Sequence, residues 1–386
     1  MDNMGSRGCR RVNGQAELSD AVADALRYSK SGRAIVEEYM DGDEYSVDAI
    51  VSNGEVSICG LADRHIFFPP YFIEMGHTIP TAISKADEVE LLSVFKAGIA
   101  ALGITNGAAK GDLKLSSKGP MIGEIAARLS GGYMSGWTYP YASLVEPTAA
   151  AIAVALGEKP ENLEPKRDWT CAERAFISIP GKVLSISGFE EASSLPFVQN
   201  VFMRAQVLAR VSFPVNNVSK CGNIIAVAPS RSEASEAAEK AARSILIRLA
   251  PEDRETEAFL SAPLLGASAF PPDAFIISPS LKAALDLIPP TKKPSTISQG
   301  HIAIIDFPAL REANLSDYVG RSLNESLEAV RRLCALDLPL VAEAASPRHA
   351  LQTLLGREFW QALLRASYQG GAYVVDSLLS KAEQVQ

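Results

Sequence analysis

The 386-residue chain carries 37 Lys and Arg against 45 Asp and Glu, a formal charge of −8, with 47% hydrophobic residues. This is the balance of a soluble globular protein of two or three domains; it argues against a nucleic-acid binder, which concentrates basic residues, but not against a phosphate ligand held by one local cationic loop. Five widely and irregularly spaced cysteines (Cys9, Cys59, Cys171, Cys221 and Cys334) form no CxxC pair, which argues against a zinc site or disulfide framework and for reduced thiols in a cytoplasmic protein. No apolar run approaches the roughly 20 residues of a membrane span, and no signal peptide is visible.

In chain order, a glycine-punctuated basic segment at 1–12 comes first. Residues 17–30 then show helical spacing, and AIVEEYM (34–40) reads as a strand. Residues 45–65 read as a hairpin turning at Asn53-Gly54. A helix is expected at 86–103, then two strands, NGAAKGDLKLSS and GPMIGEIAARL, paired antiparallel through Lys118-Gly119-Pro120. Helices are expected at 142–157 and 231–249, with short strands and turns over 172–228. A boundary is expected near Arg254–Thr256. Pro/Ser-rich segments follow it, then helices near 322–336, 347–355 and 357–381.

The chemistry concentrates in the paired strands. Period two puts Lys110, Asp112 and Lys114 on one face, and Asp112 and Glu124 can face the same way from neighbouring strands. Two close carboxylates repel unless a cation lies between them, and Mg²⁺ suits such oxygens. The other outcome is an exposed face whose acids pair with Lys110 and Lys114. Arg128 offers a fork for phosphate or carboxylate, or a structural ion pair. Gly131-Gly132 permits close approach of a ligand, or is a plain turn. In VEEYMDGDEYSV, the backbone of Glu38 and Met40 could read an adenine edge, Tyr39 and Met40 could flank the base, and Glu44 could accept from ribose hydroxyls; alone, this is an ordinary acidic strand end. Gly5-Ser6-Arg7-Gly8 could wrap phosphates with Arg7 or Arg10 adding charge, although a lone GSRG is weak evidence. His301, Asp306, Cys334 and His349 match no catalytic spacing.

The order of these items resembles the ATP-grasp superfamily over residues 2–250: glycine loop, helix, VEEYM-x-G-x-E, hairpin, helix, then acid-bearing strands ending in E-x-x-x-R-x-x-G-G. It is closest to the carboxylate–amine ligase branch, which includes the L-amino-acid ligases, and to carbamoyl-phosphate synthetase-like proteins. Ile73–Pro80 looks like that branch's substrate-side segment, and 180–192 with 215–241 resembles the trailing subdomain of the amino-acid ligases. The resemblance implies an α+β ATP-grasp fold, antiparallel sheets with flanking helices, over 1–255, with the trailing subdomain at about 165–250. A Pro-rich linker and a mainly helical accessory domain would occupy 256–386.

It implies ATP and Mg²⁺ as cofactors, with Mn²⁺ able to replace the metal, and small carboxylate and amine substrates. Gly5, Ser6, Arg7 and Gly8 would cover the phosphates. Glu37, Glu38, Tyr39 and Met40 would form the adenine hinge, and Glu44 would hold ribose. Asp112 and Glu124 would bind the metal, and Arg128 would act in catalysis. Glu74, His77, Arg128, Gly131 and Gly132 would meet substrate. Two departures stand out. Many relatives have Asn where this chain has Ala126. Relatives also carry a Lys upstream of the glycine loop and a whole preceding domain, so the chain is expected to be the downstream part of such a protein. A second copy or partner chain would then cover the truncated edge. The expected activity is ADP-forming ligation through an acyl phosphate; the alternative is a non-catalytic nucleotide- or substrate-binding fragment that needs a partner.

Overall fold

Tyr45, Val47, Ala49 and Val51 alternate along one face of a strand and are buried with Leu61, Ala109 and Leu113 against Leu91, Phe95 and Ile99, which recur at helical spacing. The computed structural model in which this packing is seen describes residues 3–161, 163–266, 269–292, 302–342 and 353–383. After α1 (Gln15–Tyr28) come β1 (Asp43–Ser52), β2 (Glu55–Phe67), β3 (Ile73–Ile79), α2 (Lys85–Ala101), β4 (Gly107–Ser116) and β5 (Gly119–Ala126). A π-helical turn at Met134–Thr138 leads into α3 (Tyr139–Ser143) and α4 (Pro147–Ala155). Next are β6 (Thr170–Phe176), β7 (Gly181–Ser187), α5 (Phe189–Ser194), β8 (Val198–Met203), β9 (Arg210–Val211), β10 (Gly222–Ala228), α6 (Arg231–Ser244) and β11 (Leu246–Leu249). The C-terminal region holds α7 (Arg254–Ser261), α8 (Pro279–Leu287), β12 (Ile302–Ile305), α9 (Pro308–Glu312), α10 (Leu323–Cys334), β13 (Leu340–Val341), β14 (Thr353–Leu355) and α11 (Arg357–Glu383).

Eight strands form one antiparallel sheet in the order β5-β4-β1-β2-β3-β6-β10-β8. Near β1 one face of this sheet is apolar and covered by α2, while the other carries Glu44, Ser46 and Asp48. The turn Met134–Thr138 and α3 close over that polar face: Tyr139 is fully buried and stacks so tightly on Gly60 that a Cβ there would lie 2.4 Å from the ring. Two three-stranded sheets complete the described residues, an antiparallel β11-β7-β9 and a parallel β13-β12-β14.

The α+β architecture agrees with expectation, and four local readings are corrected. Residues 34–40 lie outside any sheet, because no described strand runs beside them; Glu38 pairs with Lys118 and Asp41 accepts from Ser117 N at 3.0 Å instead. The helix expected at 142–157 is divided in two, since Leu144 is left-handed and Pro147 opens the next helix. That at 231–249 ends at Ser244, and Leu246–Leu249 pairs with β7. Of the helix expected near 347–355, residues 353–355 are strand β14 and 347–352 lie outside the described residues.

Among the described residues of the C-terminal region helices dominate, and α11 is tied to the trailing strands by specific contacts. Gln369 donates to Ser178 Oγ at 2.8 Å and Ile247 O at 3.2 Å, while Ile247 N donates to Tyr368 OH at 2.9 Å. Arg248 and Asp376 form a two-pronged pair at 2.8 and 2.6 Å. Among the described residues no helix is long and apolar enough to cross a membrane.

Phe95 is fully buried beneath the sheet that carries the polar face. Phe95→Ala should cost about 3–5 kcal/mol in urea unfolding. A loss well under 1 kcal/mol would mean that α2 does not anchor this sheet.

Candidate functional site

Cross-strand partners share a face of a sheet. Following the register across the polar face gives one row: Lys114 on β4, Glu44 on β1, Arg64 on β2, His77 on β3 and Glu173 on β6. The next row toward β5 holds Ser46, Asp112 and Glu124. Acidic and basic side chains therefore meet across five adjacent strands.

Three register shifts produce this arrangement. Counting back from the Asn53-Gly54 turn, Glu44 would face Asp63, but Cys59 stands unpaired and moves Arg64 opposite Glu44. Met75 is unpaired between β2 and β3, which lets Glu74 join His77 on the polar face. Gly123 is unpaired between β4 and β5, so that Glu124, rather than Gly123, is the partner of Asp112. Such one-residue bulges re-aim side chains.

Arg64 is the hub. It pairs with Glu44, lies 3.0 Å from Glu74 Oε2 and is 3.0 Å from Asp112 Oδ1. Burial works against the charge on Glu74, yet Arg64, His77 and Lys220 hold its carboxyl well below the ordinary 4.5. Burial raises Glu44, Arg64 opposes it, and the nearby Asp112 and Glu74 charges add to the rise. His77 is fully buried. Its Nε2 is 2.9 Å from Thr138 Oγ1, and its Nδ1 lies 3.4 Å from Glu173 and 3.7 Å from Glu74, ion-pair rather than hydrogen-bond distances. Burial lowers the His77 pKa, but the two carboxylates outweigh it and the net shift is upward. Asn223 donates to Glu173.

Asp112 and Glu124 are the pair on which a divalent cation would depend. Lys110 lies between them, paired with Asp112 and 3.9 Å from Glu124 Oε1. The same Glu124 oxygen is 3.8 Å from Arg128. The two carboxylates thus already converge on a cation, an ammonium, and the donor set suits a hard ion that completes its shell with phosphate and water. Among the described residues no group of three or more His, Cys, Asp or Glu side chains could hold a metal ion by itself.

Arg128 is half-exposed, and its Nη1 donates to Leu129 O at 2.9 Å. The following Ser130-Gly131-Gly132 turn is pinned by fully buried Asp48, which accepts from Ser130 N at 3.2 Å and from the Ser130 and Ser135 hydroxyls. The glycine loop docks through Asn217: Asn217 N donates to Gly5 O at 2.9 Å and its Nδ2 to Ser6 Oγ at 3.3 Å, while its Oδ1 accepts from Glu74 N at 2.8 Å. Gly8 is left-handed, and a Cβ there would lie 2.9 Å from Ala25 Cα. Arg7 is engaged with Asn3 and the Met4 carbonyl. Burial, then the charges of Glu124 and Glu37, raise the Cys9 thiol pKa, which places the end of this loop within electrostatic range of both acids. Along 37–40, Arg11 lies 4.3 Å over the Tyr39 ring, and the Met40 methyl approaches Gly123.

The residues singled out in 5–8, 37–44, 74–77 and 112–132 therefore lie around one sheet face and its border. Arg64, Glu173, Asn223, Asp48 and Asn217 are additions. For Arg64 the alternation of β2 was a signal, but a plain hairpin count pairs Asp63 with Glu44. Among the residues singled out in 256–386, Asp306 is engaged by Arg311 at 2.8 and 2.9 Å, and Cys334 lies 3.8 Å from Asp376. His301 and His349 fall outside the described residues.

A family model described as an ATP-grasp domain matches residues 1–136, and one described as L-amino acid ligase C-terminal domain 2 matches residues 175–250. Uncharacterized protein y4rH of Sinorhizobium fredii (strain NBRC 101917 / NGR234) is 27% identical over 256 residues, 64% of this chain and 52% of that protein. Carnosine synthase 1 of Homo sapiens is 27% identical over 123 residues, 32% of this chain and 15% of that protein. Among solved structures, L-amino acid ligase from Bacillus licheniformis superposes with a TM-score of 0.56 at 20% identity, covering 62% of each chain. Phosphoribosylglycinamide synthetase from Anaerococcus prevotii gives 0.50 at 17% identity, covering 62% of this chain and 63% of that one. These two likenesses establish the fold. The chain spans about half the length of the first of these curated relatives and a smaller share of the second.

Arg64→Met would take from Glu44, Glu74 and Asp112 the cation they share and should cost about 3–5 kcal/mol at pH 7. In the native chain the depressed Glu74 contributes stability above its ordinary 4.5, and this is lost as the pH falls through its folded value. In the variant Glu44 and Glu74, without the Arg64 charge that lowers both, bind protons more readily, so its deficit should narrow between pH 7 and pH 5. Urea unfolding at both values measures this; an equal deficit at both would contradict the hub role.

Proposed function

We propose that this chain, whose residues 1–136 match an ATP-grasp domain model, is an ATP-grasp protein that binds ATP with a divalent cation and joins a small carboxylic acid to an amine, releasing ADP and phosphate. The observation that carries this reading is the in-register pairing of Asp112 with Glu124, with Arg128 beside Glu124 at 3.8 Å. The similarity to L-amino acid ligase and to carnosine synthase makes amino acids the first substrates to try.

In this reading the substrate carboxylate oxygen attacks the γ-phosphorus, the bond to the ADP oxygen breaks, and an acyl phosphate forms. The amine nitrogen then attacks the acyl carbon, phosphate leaves and the amine gives up a proton. The protein's part is positioning and charge neutralisation, as in phosphoryl transfer generally. Asp112 and Glu124 would hold Mg²⁺ or Mn²⁺, which neutralises phosphate charge. Arg128, half-exposed and loosely paired, would turn toward the transferred phosphoryl group. Gly5, Ser6, Arg7 and Gly8 would cover the phosphates, and Glu37 to Met40 would border the base. Glu44 Oε2, 3.9 Å from Lys114, keeps acceptor capacity for ribose hydroxyls. His77 would act as a fixed cation rather than a base: Thr138 Oγ1 contacts the carbonyl of Met134 at 3.4 Å and so accepts from Nε2–H, while two carboxylates face Nδ1. Glu74 and His77, with the Gly131-Gly132 turn, would then border the acid substrate.

The test is a screen of amino-acid pairs for phosphate and ADP release with MgATP. Asp112→Asn or Glu124→Gln should lower the rate by at least about 100-fold, the scale of losing one transition-state electrostatic contact. Unchanged turnover in both variants would sink the assignment. Tight MgATP binding without release from any pair would favour a binding module instead.

A further inference from the structure

We infer that Lys110 is a built-in cation of the Asp112–Glu124 pair, and that it makes entry of a divalent ion conditional on a polyanion entering with it. This rests on the reading above that the two carboxylates hold the metal. Lys110 precedes Asp112 by two residues on β4, so it is fixed on the same face, and its side chain is only 10% exposed. Its ammonium pairs with Asp112 Oδ2 and is 3.9 Å from Glu124 Oε1, while Asp112 Oδ1 is served by Arg64 at 3.0 Å and Ser46 Oγ at 3.3 Å. Each oxygen of Asp112 already faces a cation, so an entering metal competes with Lys110 for one and with Arg64 for the other. Asp48, also within electrostatic range of Lys110, is already engaged by Ser130 and Ser135.

The charge count points the same way. Glu44, Glu74, Asp112 and Glu124 are linked through ion pairs to Arg64, Lys110, Lys114 and Arg128, four carboxylates to four cations. The more deeply buried His77 and Glu173 add one of each sign when the imidazole is protonated. A divalent ion entering alone would leave two uncompensated positive charges at a partly buried site, where like charges repel more strongly than in water. A triphosphate entering with it removes that excess and gives the displaced ammonium a new anion to pair with. Coupling between two ligands of this kind is reciprocal: whatever the phosphate does for metal affinity, the metal does for phosphate affinity.

The experiment measures Mn²⁺ binding to the full chain by electron paramagnetic resonance, with and without ATP, for the native protein and for Lys110→Met, Lys110→Arg and Asp112→Asn. Thermal melts establish that each variant is folded. Without nucleotide, Lys110→Met should bind Mn²⁺ at least about tenfold more tightly than the native chain. Lys110→Arg, which keeps the charge, should stay close to native, and Asp112→Asn should abolish site binding. With ATP present, the advantage of Lys110→Met should shrink or reverse. If Lys110→Met gains no affinity for Mn²⁺ alone, while the native chain binds MnATP in an Asp112-dependent way, the role of Lys110 is wrong and the metal reading survives. If MnATP binding does not depend on Asp112 at all, the metal reading falls and this inference falls with it.

Discussion

Arg64 meets Glu44 only because Cys59 stands out of the β1–β2 register, and Glu124 meets Asp112 only because Gly123 stands out of the β4–β5 register. A third unpaired residue, Met75, brings Glu74 to the same face. Side chains alternate between the faces of a strand, so one extra residue decides whether the groups beyond it point to the polar face or to the opposite one. Without these shifts Glu44 would oppose Asp63, a like-charged partner, and Asp112 would oppose a glycine. The ion-pair network and the convergence of two carboxylates on one cation follow from that placement.

The two faces of the sheet divide the work. Beneath it, Leu91, Phe95 and Ile99 of α2 lock Val47, Ala49 and Leu113 into a dry cluster that fixes the strands. Above it, charged groups of opposite sign satisfy one another in a setting where any one of them, left unpaired, would be costly. The trailing strands and the C-terminal helices extend this support. Ala366 and Tyr373 of α11 enter the same core as Ala238 and Ala242 of α6, and Gln369 fastens that helix to Ser178 and Ile247.

Much of this was legible in the amino-acid pattern, and what was missed has physical reasons. Asn53-Gly54 and Lys118-Gly119 placed both hairpins, because turn chemistry is local. The order of glycine loop, acidic hinge and paired carboxylates pointed to the superfamily. The strand expected at 34–40 failed because β propensity needs a neighbour to pair with, and none is present among the described residues. Leu246–Leu249 was read as helix because its apolar run continues the pattern of α6, while its pairing with β7 depends on a contact some sixty residues away. Glu173 and Asn223 carried no local signal; their place beside His77 exists only once β6 pairs with β3 and β10. Lys110 was legible as a partner of Asp112, but the sequence could not show that the same ammonium reaches Glu124.

The central claim is that these register shifts build one cation site that grips a nucleotide's phosphate tail. The most direct measurement is a crystal structure with Mn²⁺ and a non-hydrolysable ATP analogue, read through the manganese anomalous signal. The account predicts a peak bonded to carboxylate oxygens of both Asp112 and Glu124, with phosphate oxygens completing the shell and the Lys110 ammonium moved off the pair. Nucleotide density with manganese elsewhere, or with Lys110 still seated between the two acids, would contradict it.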